Sequence, residues 1–176
     1  MNDALKKTAT DARRRDRDDL KINRIVAAVD LSPHSEKTAA YAARFAKSFG
    51  AALTLVHVFA TKPVRTLNSY ETPEEEKRHS GERKLGELVE KTRLTYPGCE
   101  MRFRNGNPAE EVALLAQDLG ADLIITASHH PGFLSSLFGL DQAPRILHRA
   151  HCPVLVYYEE EDQGSMGEKA ISPSKE

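Results

Sequence analysis

Residues 25–30 read Ile25-Val26-Ala27-Ala28-Val29-Asp30, an apolar run closed by a carboxylate, and Ser32-Pro33 follow at once. The run is strand-length, and no polar alternation sets one face apart, so both faces must be covered. Ser32 is a helix-capping residue and Pro33 suits the first helical position, so the spacing predicts a helix from there to Phe49, with Gly50 as its stop. A strand running straight into a helix is the first half of a βαβ unit.

The same grammar continues outward. Leu53-Thr54-Leu55-Val56-His57-Val58-Phe59 is a second strand. Thr72-Pro73-Glu74-Glu75 sets a cap, a proline and a returning acid at the capping-box spacing, and the helix it opens is predicted to run to about Leu94, before Pro97-Gly98. Cys99 to Arg104 is a third strand. Asn107-Pro108-Ala109-Glu110 opens a helix that Gly120 stops, Leu123 to Ala127 is a fourth strand, and a short helix at about Gln142 to Arg149 precedes a fifth, Val154 to Tyr158. This predicts an α/β fold: one open five-stranded parallel sheet with helices on both faces. Strand three alternates Met101 and Phe103 with Arg102 and Arg104, so one of its faces meets water and it belongs at an edge. The fifth strand, as the last element, is expected at the other edge. An apolar edge left open recruits another chain, which predicts a homodimer through Val154, Leu155, Val156 and Tyr157. Coverage by a terminal segment is the competing expectation.

The flanks differ from this middle. Residues 1–21 mix seven Lys and Arg with five Asp and read as a charged flexible extension; residues 159–176 open on Glu159-Glu160-Glu161-Asp162 and read as an acidic flexible tail. The domain proper is expected over 22–158. Across 176 residues, 25 Lys and Arg balance 26 Asp and Glu for a net charge of -1, so no overall field draws the chain to nucleic acid or to an acidic membrane. No apolar run approaches the roughly 18 residues of a membrane span. The charged N-terminus lacks the apolar core of a secretory signal, and two cysteines make no disulfide framework, so a cytoplasmic location is expected.

Motifs that mark catalysis are missing: there is no phosphate-binding P-loop, no dinucleotide fingerprint, no HExxH, no CxxC and no GxSxG. No catalytic residue is assigned. In an open parallel sheet, ligands bind beyond the carboxyl ends of the strands at the switch point, which singles out Ala28 to Asp30 and the loop from Ala127. Asp30 closes an apolar strand, where packing has no use for a carboxylate. It suits hydrogen bonds from a ribose or base, or a share in holding a metal; the plainer role is capping the next helix. The loop from Ser128 to Asp141 exceeds the usual roughly 2–6 residues of such connections. Its glycines and serines suit presentation of backbone N–H groups to an anion, yet it holds no Lys or Arg. Phe133, Leu134, Leu137 and Phe138 suit packing or contact with a protein partner. His129-His130 and the pair His148 and His151 do not reach the three or four ligands zinc takes, so no metal site is assigned. His57 reads as a hydrogen-bonded core histidine, and Cys99 and Cys152 as inert thiols.

These segments, in this order, resemble the universal stress protein family. The likeness is carried by Ile25 to Asp30 with Ser32 and Ser35, Ala51 to Val58, Asn105-Gly106-Asn107-Pro108-Ala109-Glu110-Glu111-Val112, Gly120 to Ile125, and His151 to Val156. The resemblance implies a sheet order of 3-2-1-4-5, a fold akin to adenine-nucleotide-binding α/β domains, and dimers joined at strand five. It also implies ATP or AMP binding, with magnesium entering only alongside the nucleotide. Adenine and ribose would meet Ala28, Asp30 and Val58. The phosphates would meet the loop at Ala127, Ser128, His129, His130, Gly132, Gly139, Leu140 and Asp141. Against the family pattern G-x-x-G-x(9)-G-[ST], the glycine positions hold Ala127, His130 and Leu140, and Asp141 replaces the hydroxyl residue. The stretch Ala127-Ser128-His129-His130-Pro131, with Gly139, resembles instead members that carry Ala-Ser-His-x-Pro. Asp141 beside a triphosphate would repel it unless a metal intervened, an effect that a protonated His130 would partly offset. The expected role is a stress-response binding module with the nucleotide as switch. A nucleotide-independent dimeric scaffold and a weak nucleotide hydrolase are the alternatives.

Overall fold

The five strands form a single parallel sheet in the order β3-β2-β1-β4-β5. The structure is a computed structural model and describes residues 21–60, 73–128 and 142–158. Its elements are β1 (Arg24–Ala28), α1 (Ser35–Phe49), β2 (Ala52–Phe59), α2 (Pro73–Arg93), β3 (Cys99–Asn105), α3 (Pro108–Leu119), β4 (Leu123–Ser128), α4 (Gln142–Arg149) and β5 (Val154–Tyr158). Residues 1–20 and 159–176 of the charged flanks and the Thr72 cap lie outside the described residues.

Sheet alternation divides the apolar residues between two cores. Ile25, Ala27, Leu53, Leu55, Leu123 and Ile125 pack against α1 and α2, where Ala39, Ala42, Ala43 and Ala46 let α1 approach the sheet closely and Leu85 and Val89 fill the space under α2. Val26, Val56 and Ile124 face the other way, against Val112, Leu115 and Ala116 of α3 and Ile146 of α4. Truncating one of these fully buried Ile or Leu side chains to Ala typically costs about 2–5 kcal/mol. As the alternation predicted, β3 is an edge: Cys99 is buried, Met101 and Phe103 half-buried, Glu100 and Arg102 exposed.

Helix ends follow the sequence with one exception. Asn107 caps α3, its side-chain oxygen accepting from the N–H groups of Ala109 (3.1 Å) and Glu110 (3.4 Å), and Pro108 takes the first helical position. Such a cap contributes about 1 kcal/mol. Gly50 ends α1 in the left-handed conformation at φ 66°, where it avoids the penalty that a side chain would meet. The exception is the start of α1. Ser32 does not cap it and Pro33 stands outside it; the helix begins at Ser35, with His34 in the cap position and no side-chain cap bond. The reason is Asp30, whose Oδ1 accepts from the Ser32 N–H (2.9 Å) and from Ser35 Oγ (2.8 Å), holding residues 30–35 in a turn that delays the helix. Strand one also starts and ends one residue earlier than the apolar run. Asp122 Oδ2 accepts from the Asn23 and Arg24 N–H groups at 2.8 and 3.0 Å, tying the start of β1 to the start of β4.

Candidate nucleotide site at the carboxyl end of the sheet

Register decides which residues meet. Ala28 pairs with Val56 on one side and with Thr126 on the other. Asp30, Val58 and Ser128 each follow those partners by two positions, so all three come just after the last rung that β1 makes. Ala127 lies beside them as the penultimate residue of β4. The expected contacts Ala28, Asp30, Val58, Ala127 and Ser128 are therefore gathered at one end of three adjacent strands. His129, His130, Gly132, Gly139, Leu140 and Asp141, with Phe133, Leu134, Leu137 and Phe138, lie outside the described residues.

The chain leaves the sheet here in a defined way. The Val29 N–H still donates to the Val56 carbonyl at 2.9 Å. The Val29 carbonyl accepts from His57 Nδ1 at 2.9 Å, which fixes the proton on that ring nitrogen. Among the described residues no backbone hydrogen bond joins Val58 to the departing β1 chain. The backbone of Val58 thus meets the opening while its side chain is buried in the core beside α3. Asp30 is exposed, and its two accepted hydrogen bonds orient the carboxylate. Leu31 follows at φ 60°, a left-handed conformation that costs a residue with a side chain about 1–2 kcal/mol. A methyl group placed at Gly81 of α2 would lie 3.8 Å from Leu31 Cδ1 and 3.4 Å from the Phe103 ring, so both side chains pack beneath that helix. Phe103 in turn meets His57 with ring centroids 5.6 Å apart.

Electrostatics at this end are mild. Burial lowers the His57 pKa from the ordinary 6.5, against the opposing pull of the Val29 carbonyl and of Asp30, so the ring is neutral at pH 7. At the opposite end of the sheet, burial raises the Cys99 thiol to about 11 and also lifts Cys152, which lowers the thiolate fraction of both. Among the described residues there is no cluster of three or more His, Cys, Asp or Glu able to hold a metal ion, and no helix long and apolar enough to cross a membrane.

The model of the universal stress protein family matches residues 21–157. The chain belongs to the universal stress protein family. Among curated relatives, universal stress protein A homolog 1 of Coxiella burnetii is 32% identical over 142 residues, covering 78% of this chain and 96% of the relative. A solved universal stress protein in complex with cAMP superposes with a TM-score of 0.60 at 17% identity, covering 78% of this chain and 98% of the other. The Archaeoglobus fulgidus universal stress protein in complex with dAMP gives 0.56 at 18% identity, covering 78% and 98%. These structural likenesses establish the fold, and the strand order matches the one that the family resemblance implies.

Two residues beside the candidate site of this universal stress protein escape sequence reading as site residues. His57 reads as a core histidine; its ring is half-buried and hydrogen-bonded, but its position on the Val29 carbonyl next to Asp30 needs the register. No residue type announces the left-handed Leu31; the short spacing from Asp30 to Ser32 is the only trace.

Proposed function

We propose that the chain binds an adenine nucleotide, ATP or AMP, at the carboxyl ends of β1, β2 and β4, and that it works as a dimeric, cytoplasmic stress-response module with the nucleotide as its switch. The observation that supports this reading is the register, in which β1 stops pairing at Ala28 and Asp30, Val58 and Ser128 each come two residues further on. Asp30 accepts hydrogen bonds from the ribose hydroxyls, and the Val58 backbone offers one donor and one acceptor to the adenine edge. The relatives solved with cAMP and dAMP support an adenine ligand. The loop of the Ala-Ser-His-x-Pro kind, from Ala127 through His129, His130 and Gly132 to Gly139, Leu140 and Asp141, closes over the phosphates. Magnesium accompanies the nucleotide and screens Asp141. Bound nucleotide orders that loop and changes what Phe133, Leu134, Leu137 and Phe138 offer to a protein partner. Dimerisation proceeds through Val154, Leu155, Val156 and Tyr157 of β5. The role we propose is binding rather than turnover.

Equilibrium dialysis with labelled ATP and AMP tests the reading. One saturable site per chain, lost in Asp30→Ala with no steady release of phosphate, is the expected result. No binding at millimolar nucleotide overturns it and leaves the nucleotide-independent scaffold. Steady phosphate release abolished by Asp30→Asn makes the protein a hydrolase instead.

A further inference from the structure

On edge strand β5, Leu155 packs with the core under α1 while Val154 packs with the core of the opposite face. On the α1 side a row of rings runs from the strand onto the helix. Tyr157 stacks on Tyr41 with centroids 4.6 Å apart and planes 22° from parallel; Tyr41 meets Phe45 at 6.3 Å, and Phe45 meets Phe49 at 5.0 Å. The spacing of four puts the three helical rings along one flank of α1. The face of α1 that meets the sheet is made of alanines, so this flank is additional apolar surface. It begins half-buried at Tyr157 and ends with Phe49 40% exposed.

We propose that this ring row is part of the surface by which two copies of the chain associate: each copy's Tyr41, Phe45 and Phe49 cover Leu155 and Tyr157 of the other. The inference rests on the β5 dimer reading and extends it onto α1. A strand edge presents unpaired N–H and C=O groups whose complement is another strand, and antiparallel pairing sets opposed side chains on the same face. A two-fold axis normal to the sheet therefore keeps both α1 helices on one side and brings Leu155 and Tyr157 of the two copies together beneath them. Tyr41 sits beside Tyr157 near the end of β5, so Phe49, two turns further along α1, lies toward the start of that strand. A reversed partner strand carries Tyr157 of the partner subunit toward that same end, where the row is open. Area points the same way. A pair of strands with five residues each falls well short of the roughly 800 Å² per partner that stable interfaces bury, and aromatic side chains are what interfaces concentrate.

Sedimentation equilibrium on the full chain tests this, with Val156→Asp as the probe of the strand edge and Phe49→Ser as the probe of the row. Phe49 is exposed, so Phe49→Ser keeps the fold, which circular dichroism checks. The expected results are a wild-type dimer, dissociation in Val156→Asp, and a dimer Kd raised about tenfold in Phe49→Ser, equivalent to about 1.4 kcal/mol. The chain has no tryptophan, so Phe49→Trp adds a lone reporter whose emission moves to shorter wavelength as concentration passes through the dimer Kd. If Val156→Asp dissociates the dimer while Phe49→Ser changes Kd less than twofold and the Phe49→Trp emission ignores concentration, the β5 reading stands and the row is no part of the interface. If the wild type is monomeric throughout, the β5 reading falls and the inference falls with it. A monomer whose Phe49→Trp emission is already at short wavelength means that a segment of the same chain covers the row.

Discussion

Among the described residues, β3 and β5 each have a neighbouring strand on one side only, but β3 puts Glu100, Arg102 and Arg104 along its length while β5, Val154 to Tyr158, has no charge at all. On β3 the charges answer one another: Arg102 reaches Glu100 at 3.0 Å, and Arg104 reaches Asp118 of α3 at 3.3 Å. These surface pairs stabilise little on their own, yet a strand that docked on this edge would have to desolvate them. The apolar face of β5 is half-buried through Tyr157 and continues into the rings of α1. One edge is guarded by charge and the other is not, so on the proposed dimer reading the sheet grows in a single direction.

The sharpest way to break that contrast is to charge the open edge. Val156→Asp is expected to raise the dimer Kd a hundredfold or more, since an unpaired carboxylate at a strand interface is heavily penalised, while Arg102→Asp on β3 leaves it unchanged by sedimentation. Equal effects from both would erase the distinction. The cysteines mark the starts of the same two strands, Cys99 as the first residue of β3 and Cys152 two residues before β5. Cys99 starts β3 with its thiol at about 11 against an ordinary 9.0, which leaves roughly a hundredfold less thiolate. Iodoacetamide at pH 8 should therefore modify the half-buried Cys152 first and Cys99 only on unfolding, as peptide mass mapping would reveal. Removing the guard is the converse experiment: Arg102→Val with Arg104→Val is expected to produce weak species larger than the wild-type assembly, visible by light scattering.

The smallest effect lies between the edges, at His57. Its folded-state pKa is held below 6.5 chiefly by burial, so as pH falls through 6.5 the unfolded chain takes up a proton first. The stability contributed by the neutral ring is present above that pH and is lost below it. Urea unfolding between pH 7.5 and 5.5 should show a steeper loss for the wild type than for His57→Gln. Identical slopes would mean that the Val29 contact does not depend on the neutral ring.

Much of this was readable in the residues. Runs apolar on both faces marked the inner strands, the alternation of Met101 and Phe103 with Arg102 and Arg104 marked an edge, and Asn107-Pro108 and Gly50 marked helix ends, because each rests on a local rule. The start of α1 was not, because Asp30 takes the Ser32 N–H, Ser32 Oγ takes the His34 N–H, and the longer-range bond from Ser35 Oγ to Asp30 closes the turn that delays the helix. The candidate site was legible as a location and as Asp30. The His57 tether and the Val58 backbone without a hydrogen bond to β1 follow from register, which joins residues more than 25 apart and has no local signature.

A thermal-unfolding series with rising ATP and magnesium, on the wild type and on Asp30→Ala, tests the nucleotide reading most directly, each protein being compared with its own ligand-free midpoint. At a hundredfold excess over Kd, ligand stabilises by about 2.7 kcal/mol, a rise of about 5 °C or more for a chain of this size. The account predicts that rise, saturable in the wild type and absent in Asp30→Ala. A midpoint that stays flat in the wild type at millimolar ATP, or one that rises equally in the variant, would contradict it.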